Sequence, residues 1–348
     1  MEQLDKTRKP PIPMPDIVTL ISRNRTELMG IATISVFLHH ILNYTTIPNK
    51  WIENPMIEAQ NWVFTDGFLF LSGFGVFFSL QKNSDCWSFY KKRLKRLYVP
   101  FLIISLIPIT FLTIFNDECF WAWLTRLTTI NFWLEGNFCG MWYVSVTMAL
   151  YLLSPLLYKL IHGKWGYLLW VVLFFLLLLV LDLWRNNIPK ECYMHYHWIM
   201  QSPAFLIGML VAKTKDEHGR NYAFFILSLF LIFPSFMRFS VRENRILFFS
   251  LTLCRLYYLL FFAFLFAYMK ELRNKLIMGG AKIIKWIGTY SLELYLLHLL
   301  IFSMLEIFNC LSPGKAMLFS IVIALAICSP VSIITGKIVA VGGGRILK

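Results

Sequence analysis

The chain has 348 residues, of which 58% are hydrophobic and 15% are charged, and its mean hydropathy is +0.62. Soluble domains are about 45–50% apolar and about 25% charged, so this composition excludes a soluble fold. The formal net charge is +14, an excess that would suit a nucleic-acid partner. The distribution of the basic residues, described below, argues against that partner.

Apolar segments recur along the whole chain and are long enough to cross a hydrocarbon core of ~30 Å as helices. The sequence predicts an all-α, polytopic bundle with one transmembrane domain at residues 25–340, between tails of residues 1–24 and 341–348. About ten spans are predicted, near residues 28–47, 62–81, 97–115, 141–161, 167–184, 198–213, 221–238, 246–269, 286–308 and 316–340.

The basic residues are unevenly distributed between the two sides of this predicted bundle. With residue 1 placed inside, the cytoplasmic segments hold roughly three times as many Lys and Arg residues as the opposite side, as the positive-inside rule requires. This bias predicts cytoplasmic N- and C-termini and accounts for the net charge without nucleic acid. The seven cysteines are scattered without a CxxC pair, and no metal site is predicted.

Predicted span 1 carries two adjacent ionisable residues, His39 and His40, deep in an apolar helix. Ionisable groups inside a membrane helix are costly and mark functional sites. Adjacent helical residues point ~100° apart, so only one of the two can face a given point. The alternative for either residue is a core histidine that is bonded to a backbone carbonyl.

Predicted span 2 carries Asp66 at a depth similar to that of His40, because the two spans run antiparallel. A carboxylate that binds one imidazole nitrogen fixes the tautomer and leaves the other nitrogen as a general base. His40 and Asp66 are therefore the predicted catalytic residues. The alternative makes Asp66 the N-cap of span 2.

Five sequence blocks contain the most informative polar residues of the predicted spans. They read TELMGIATISVFLHH (26–40), FTDGFLFLSGFGVFFSL (64–80), FYKKRLKRLYVP (89–100), MWYVSVTMALYLLSPLL (141–157) and YSLELYLLH (290–298). In this order they resemble five elements of the membrane acyltransferase-3 family, whose members move acetyl or other acyl groups onto cell-surface glycans. In the family these elements are, in the same order, the opening histidine helix, the Asp-aromatic-SGF helix, the basic RxxR segment, the Trp-Tyr helix and the Tyr-Leu-x-His helix.

The resemblance implies an O-acetyltransferase in a bacterial inner membrane, with acetyl-CoA or another cytoplasmic acyl-CoA as co-substrate and no bound cofactor. It places the family histidine on His40 and the donor-binding RxxR arginines on Arg93 and Arg96, whose guanidinium groups suit phosphates. The residues alone also suit snorkelling anchors. The family usually has an arginine eleven residues before the histidine, and this chain has Met29 at that position. Its donor-binding role either moves to Arg25, one turn earlier, or is lost.

Acceptor-binding residues are predicted on the opposite side of the membrane. Four arginines there run against the charge rule and would suit an acceptor that bears phosphate or carboxylate: Arg238, Arg242, Arg245 and Arg255. Pairing with Glu243 and lipid headgroups is the alternative. Trp142 and Tyr143 open predicted span 4, where they would either stack on a sugar or belong to an interfacial aromatic belt.

Supporting roles are assigned to a few further polar residues. Glu293, Tyr295 and His298 lie in the middle of predicted span 9, and His298 has either a structural hydrogen-bonding role or a second catalytic role. Ser72, next to Gly73, is expected where helices pack closely. His39 completes this group.

These predictions combine into an acyltransferase that moves an acyl group from acyl-CoA to a hydroxyl of an envelope or surface glycan or a lipid-linked saccharide. His40 acts as general base, or carries the acyl group itself in a covalent relay. A transporter or flippase for a glycan or lipid-linked substrate is the alternative, because buried histidines and arginines also mark substrate paths. A non-enzymatic envelope component is a further alternative.

Overall fold

The computed structural model describes residues 16–60, 63–135, 142–163, 193–216, 246–272, 275–309 and 311–341. All the elements in these ranges are helical, which confirms the all-α prediction for the described part of the chain. We number the α-helices in chain order: α1 Ile17–Arg23, α2 Arg25–Tyr44, α3 Lys50–Gln60, α4 Phe64–Lys82, α5 Cys86–Arg93, α6 Val99–Phe115, α7 Phe120–Leu127, α8 Asn131–Glu135, α9 Trp142–His162, α10 Tyr193–Lys213, α11 Ile246–Leu272, α12 Lys275–Thr289, α13 Ser291–Phe308 and α14 Pro313–Val341.

Within the described ranges, five helical segments are long and apolar enough to cross a bilayer. They are Phe64–Lys82, Cys86–Phe115, Trp142–His162, Ser291–Phe308 and Pro313–Ala340. The second of these joins α5 and α6 through a π-helical turn, Leu94–Tyr98. Helices α2, α10 and α11 cover three more predicted spans. The predicted spans at 167–184 and 221–238 lie outside the described residues.

The predicted span at residues 286–308 divides into two helices at Tyr290. Its first residues belong to α12, whereas the apolar segment that follows begins at Ser291 as α13. Helix α12 exposes lysines together with Ile283 and Trp286, a mixture of charged and apolar side chains that interrupts the continuous apolar pattern of a span. The span that begins near residue 286 is therefore shorter than predicted.

Glycines bring α4 and α10 into direct backbone contact. A Cβ atom on Gly73 would overlap the backbone carbonyl of Phe205, and one on Gly208 would overlap the carbonyl of Phe70. Small residues of this kind allow close helix packing in membranes, where lipid offers no hydrophobic drive for helix association. Close helix packing is expected at Ser72 and Gly73, and Gly73 is the one of the two that lies where α4 and α10 touch.

The first turn of α2 is fixed in position from two sides. On one side, Gly30 of α2 and Gly288 of α12 leave no room for a Cβ, so the two helices touch through their backbones. On the other side, Asn24 donates to the carbonyl of Ala263 on α11 at 3.1 Å, and Lys270 of α11 pairs with Glu27 at 3.0 Å. These contacts place Arg25, at the start of α2, at a defined point inside the bundle.

Candidate active site

A cavity of about 410 Å³ lies between α2, α4, α9, α12, α13 and the segment that joins α5 to α6. Three arginines line one part of it, and three aromatic rings line another. Along α9, Tyr151 belongs to the arginine end and Tyr143 to the aromatic end. Their separation of eight positions corresponds to ~12 Å along the helix axis. Along α9 the lining of the cavity therefore has arginines at one part, the arginine end, and aromatic rings at another, the aromatic end.

The arginine end contains Arg25, Arg93 and Arg96. Arg25 donates through Nη2 to the carbonyl of Leu71 at 3.1 Å, and Arg93 donates through Nη2 to the carbonyl of Gly75 at 3.3 Å. Both acceptors lie on consecutive turns of α4. The structure thus brings together the three residues that the sequence predicts as donor-binding.

Arg93 is 7% exposed, and its guanidinium carbon lies 5.2 Å from the ring centres of both Phe89 and Tyr151. A snorkelling anchor would extend its charge towards the membrane surface, so this burial disfavours that alternative for Arg93. Arg96 is exposed at the mouth of the cavity, where snorkelling and ligand binding are both compatible with its position.

The Arg25 guanidinium occupies space that a glycine leaves open. A Cβ on Gly75 would lie 2.9–3.1 Å from its terminal atoms. The Nε atoms of Arg25 and Arg93 are buried and have no hydrogen-bond partner among the residues that the structure describes. Met29, the position of the family arginine, lines the same cavity as Arg25. The Arg25 guanidinium therefore lies in the same cavity that an arginine at position 29 would line.

The aromatic end is formed by Phe68, Tyr143 and Tyr295, which are 6%, 8% and 4% exposed. The ring of Tyr143 lies 5.8 Å from that of Phe68 and 5.3 Å from that of Tyr295. The Tyr143 hydroxyl contacts Ser72, a predicted supporting residue that also lines the cavity. These rings form the wall between the cavity and the histidines beyond it.

Glu293 is buried and is the one carboxylate among the described residues that line the cavity. It accepts a hydrogen bond from Ser332 of α14. A single carboxylate does not balance three arginines, so the cavity carries a net positive charge.

His298 lies directly behind the aromatic wall and contacts Tyr295 at a ring distance of 6.1 Å. Its ring is 5.2 Å from that of His40, which in turn is 5.5 Å from that of His39. The three histidines predicted from α2 and α13 therefore form one cluster. A continuous series of ring contacts joins this cluster to the cavity.

The two histidines of α2 differ in their surroundings. His39 Nδ1 is 3.2 Å from Gln60 Oε1, and its Nε2 is 3.0 Å from Asn43 Nδ2. An amide oxygen only accepts and an amide nitrogen only donates, so His39 carries its proton on Nδ1 and accepts on Nε2. Both of its nitrogens have partners in this arrangement. That favours His40, which faces His298, as the residue available for chemistry.

Asp66 is fully buried and forms an ion pair with Arg255 of α11, with 2.5 Å between Arg255 Nη1 and Asp66 Oδ2. The Arg255 guanidinium also lies 4.6 Å from the ring centre of Phe64. The N-cap position of α4 belongs to Val63, so the N-cap alternative for Asp66 is wrong. The role of Asp66 in orienting His40 stays a prediction.

The remaining predicted acceptor residues have separate positions. Trp142 lines a small pocket beside Arg126, whereas its neighbour Tyr143 faces the main cavity. Arg255 is the partner of Asp66, as described above. Arg242, with Arg238 and Arg245, lies outside the described residues.

Sequence reasoning missed Tyr151, which lines the cavity and packs against Arg93. Its spacing of eight residues from Tyr143 was an available signal, because residues at i and i+8 lie in one stripe of a helix. Gly75 was also missed, since its role depends on an arginine from another helix.

The fold and the site define a polytopic membrane protein whose helix bundle encloses a basic cavity beside a cluster of three histidines. A family model described as "Acyltransferase domain" matches residues 28–335, so the chain belongs to the acyltransferase-3 family and is a membrane acyltransferase. No curated protein and no solved structure matches the chain.

Proposed function

We propose that the protein transfers an acyl group, acetyl in the simplest case, from cytoplasmic acyl-CoA to a hydroxyl of an envelope or surface glycan or a lipid-linked saccharide. The observation that carries this proposal is the convergence of Arg25, Arg93 and Arg96 on one end of a single cavity. Coenzyme A is rich in phosphate, and guanidinium groups bind phosphate through paired, charge-assisted hydrogen bonds.

The charge of the cavity supports an anionic donor. Three guanidinium groups repel one another, and burial of Arg93 adds a desolvation cost. A ligand that carries several negative charges offsets both effects. The unpartnered Nε atoms of Arg25 and Arg93 are donors that such a ligand can use.

The position of His40 supports its role as the general base. Fifteen residues separate Arg25 from His40 on α2, which corresponds to ~22 Å along the helix. A donor held by its phosphates at the arginine end would extend its flexible pantetheine arm along the cavity. Its thioester would then lie near the aromatic wall, on the side of the histidines.

In the proposed reaction, His40 removes the proton from the acceptor hydroxyl as the hydroxyl oxygen attacks the thioester carbonyl carbon. The carbon–sulfur bond breaks, and the thiolate of coenzyme A leaves with the electron pair and takes up the proton from His40. General-base catalysis of this kind is worth ~10²–10⁴ in rate. Trp142, Tyr143 and Arg255, which pairs with Asp66, are the proposed acceptor-binding residues.

The test follows radiolabelled acetyl-CoA with purified protein in liposomes that contain extracted envelope glycans. We expect protein-dependent transfer of label to a glycan. Movement of intact glycan across the bilayer, without label transfer and without loss of acetyl-CoA, would overturn the proposal in favour of the transporter.

A further inference from the structure

We infer that His298 is the positioning residue of His40, with His298 Nε2 accepting a hydrogen bond from the ring N–H of His40. This contact fixes the tautomer in which the opposite nitrogen of His40 is free to act as a base. The inference rests on the proposed function only in its catalytic consequence. The pairing itself is a property of the protein without substrate.

The protonation of His298 follows from its hydrogen bond to α13. Its Nδ1 lies 2.8 Å from the carbonyl oxygen of Leu294, and a carbonyl can only accept, so Nδ1 carries a hydrogen. In the neutral ring the lone pair is then on Nε2. This atom is buried and has no hydrogen-bond partner in the part of the chain that the structure describes.

An unpaired acceptor at this depth is costly. His298 is 0% exposed, and a buried polar atom without a partner keeps the full cost of losing its water. An apolar side chain at position 298 would avoid that cost. A neighbouring side chain that turns to form the missing hydrogen bond gives the histidine a reason to be present.

His40 is the neighbour best placed to supply the missing donor. The two imidazole centres are 5.2 Å apart with their planes tilted by 54°, and Phe37 packs edge-on against His298 at 5.0 Å. Phe37 and the bond to Leu294 hold the His298 ring in place. His40 is only partly buried, so a rotation of its side chain can bring an N–H towards Nε2.

The other groups near His40 have engagements of their own. Gln60 and Asn43 hold the two nitrogens of His39, and Arg255 holds the carboxylate of Asp66. His298 therefore offers what a catalytic carboxylate offers elsewhere, an acceptor for the second nitrogen of the base.

The proton balance is simple. The proton of the acceptor hydroxyl moves to the free nitrogen of His40, which becomes an imidazolium with two N–H groups. One of these N–H groups donates to His298 Nε2, so the two rings share the positive charge. When the carbon–sulfur bond breaks, His40 returns a proton to the thiolate and both rings are neutral again.

Two substitutions separate positioning from packing. In His298→Asn the amide nitrogen can still donate to Leu294, but no atom replaces Nε2. In His298→Gln the longer side chain places an acceptor oxygen near the position of Nε2. We expect His298→Asn to lower kcat by ~10²-fold with an unchanged KM for acetyl-CoA, and His298→Gln to recover part of that loss. A wild-type kcat in His298→Asn, or equal losses in both variants, would overturn the inference.

A second measurement needs no substrate. Diethyl pyrocarbonate modifies neutral imidazole nitrogen, and peptide mass spectrometry reports the rate at His40. An acceptor on its N–H makes the opposite nitrogen more nucleophilic, so we expect the rate to fall several-fold in His298→Asn and to lie between the two in His298→Gln. Equal rates in all three proteins would refute the pairing. The predicted rates together with no acyl transfer by wild-type protein would refute the proposed function and leave the pairing standing.

Discussion

The two ends of the site are built on different physical principles. At the arginine end, Arg25 and Arg93 donate to backbone carbonyls of α4, and their Nε atoms have no partner among the described residues. Arg96, at the same end, is exposed. At the histidine end, His298 is fully buried and is held by ring packing and by hydrogen bonding to the backbone of α13. The first arrangement suits the capture of an anion from water. The second suits the positioning of a neutral base.

This difference predicts that the ends affect different kinetic parameters. Arginine contacts act on the bound ground state and the transition state alike, so their loss raises KM. A general base acts in the transition state, so its loss lowers kcat. Variants at the two ends therefore test whether donor capture and proton transfer are separate tasks of the site.

The largest effect is expected for His40→Ala. Loss of the base should lower kcat for acyl transfer by ~10²–10⁴ without changing the amount of protein in the membrane. His39→Ala is the matched control, because His39 adjoins His40 in sequence and has both of its nitrogens engaged with Gln60 and Asn43. The measurement is the initial rate of label transfer. A larger loss in His39→Ala than in His40→Ala would show that His39, and not His40, is the base.

Arg255→Ala should reduce stability more than any variant of the cavity arginines. It leaves the carboxylate of Asp66 buried without its ion-pair partner, and breaking a buried pair costs ~3–5 kcal/mol. Thermal unfolding in detergent measures the effect. The double variant Arg255→Gln with Asp66→Asn should recover much of it, since neither position then carries a buried charge. An unchanged melting temperature in Arg255→Ala would show that the pair contributes little to the fold.

Arg93→Lys should weaken donor binding although it keeps the charge. The flat guanidinium packs between Phe89 and Tyr151, and a lysine lacks both that shape and the paired donors. Hydrogen bonds to charged groups are worth about 1.5–3 kcal/mol, so KM for acetyl-CoA should rise by ~10–100-fold while kcat changes little. Arg96→Lys, at the exposed mouth, is the control and should show a smaller rise. The reverse order would mean that Arg96 at the mouth, and not the buried Arg93, is the main contact of the donor.

Gly75→Ala should have the smallest effect of the four. The added methyl would lie 2.9–3.1 Å from the Arg25 guanidinium, so the arginine must shift by a few tenths of an ångström. We expect a few-fold rise in KM for acetyl-CoA without loss of folded protein. The control is Gly336→Ala, where no atom lies within 4 Å of the new methyl and KM should not change. Equal KM values in the two variants would remove Arg25 from the donor site.

Much of this arrangement could be predicted from the sequence, because it depends on local patterns. Apolar length located α4, α6 and α9, and the family motifs identified Arg93, Arg96 and His40. The pairing of Asp66 with Arg255 could not be predicted in this way, because 189 residues separate them and depth in the membrane was known only approximately. The break at Tyr290 was missed because α12 has an apolar side that continues the pattern of α13.

The most direct test of the two-ended site is equilibrium binding of acetyl-CoA to purified wild-type protein, His40→Ala and Arg93→Ala. We expect His40→Ala to bind the donor as tightly as wild type and Arg93→Ala to bind it ~10-fold or more weakly. Equal weakening in both variants, or unchanged binding in Arg93→Ala, would contradict the separation of donor capture from proton transfer.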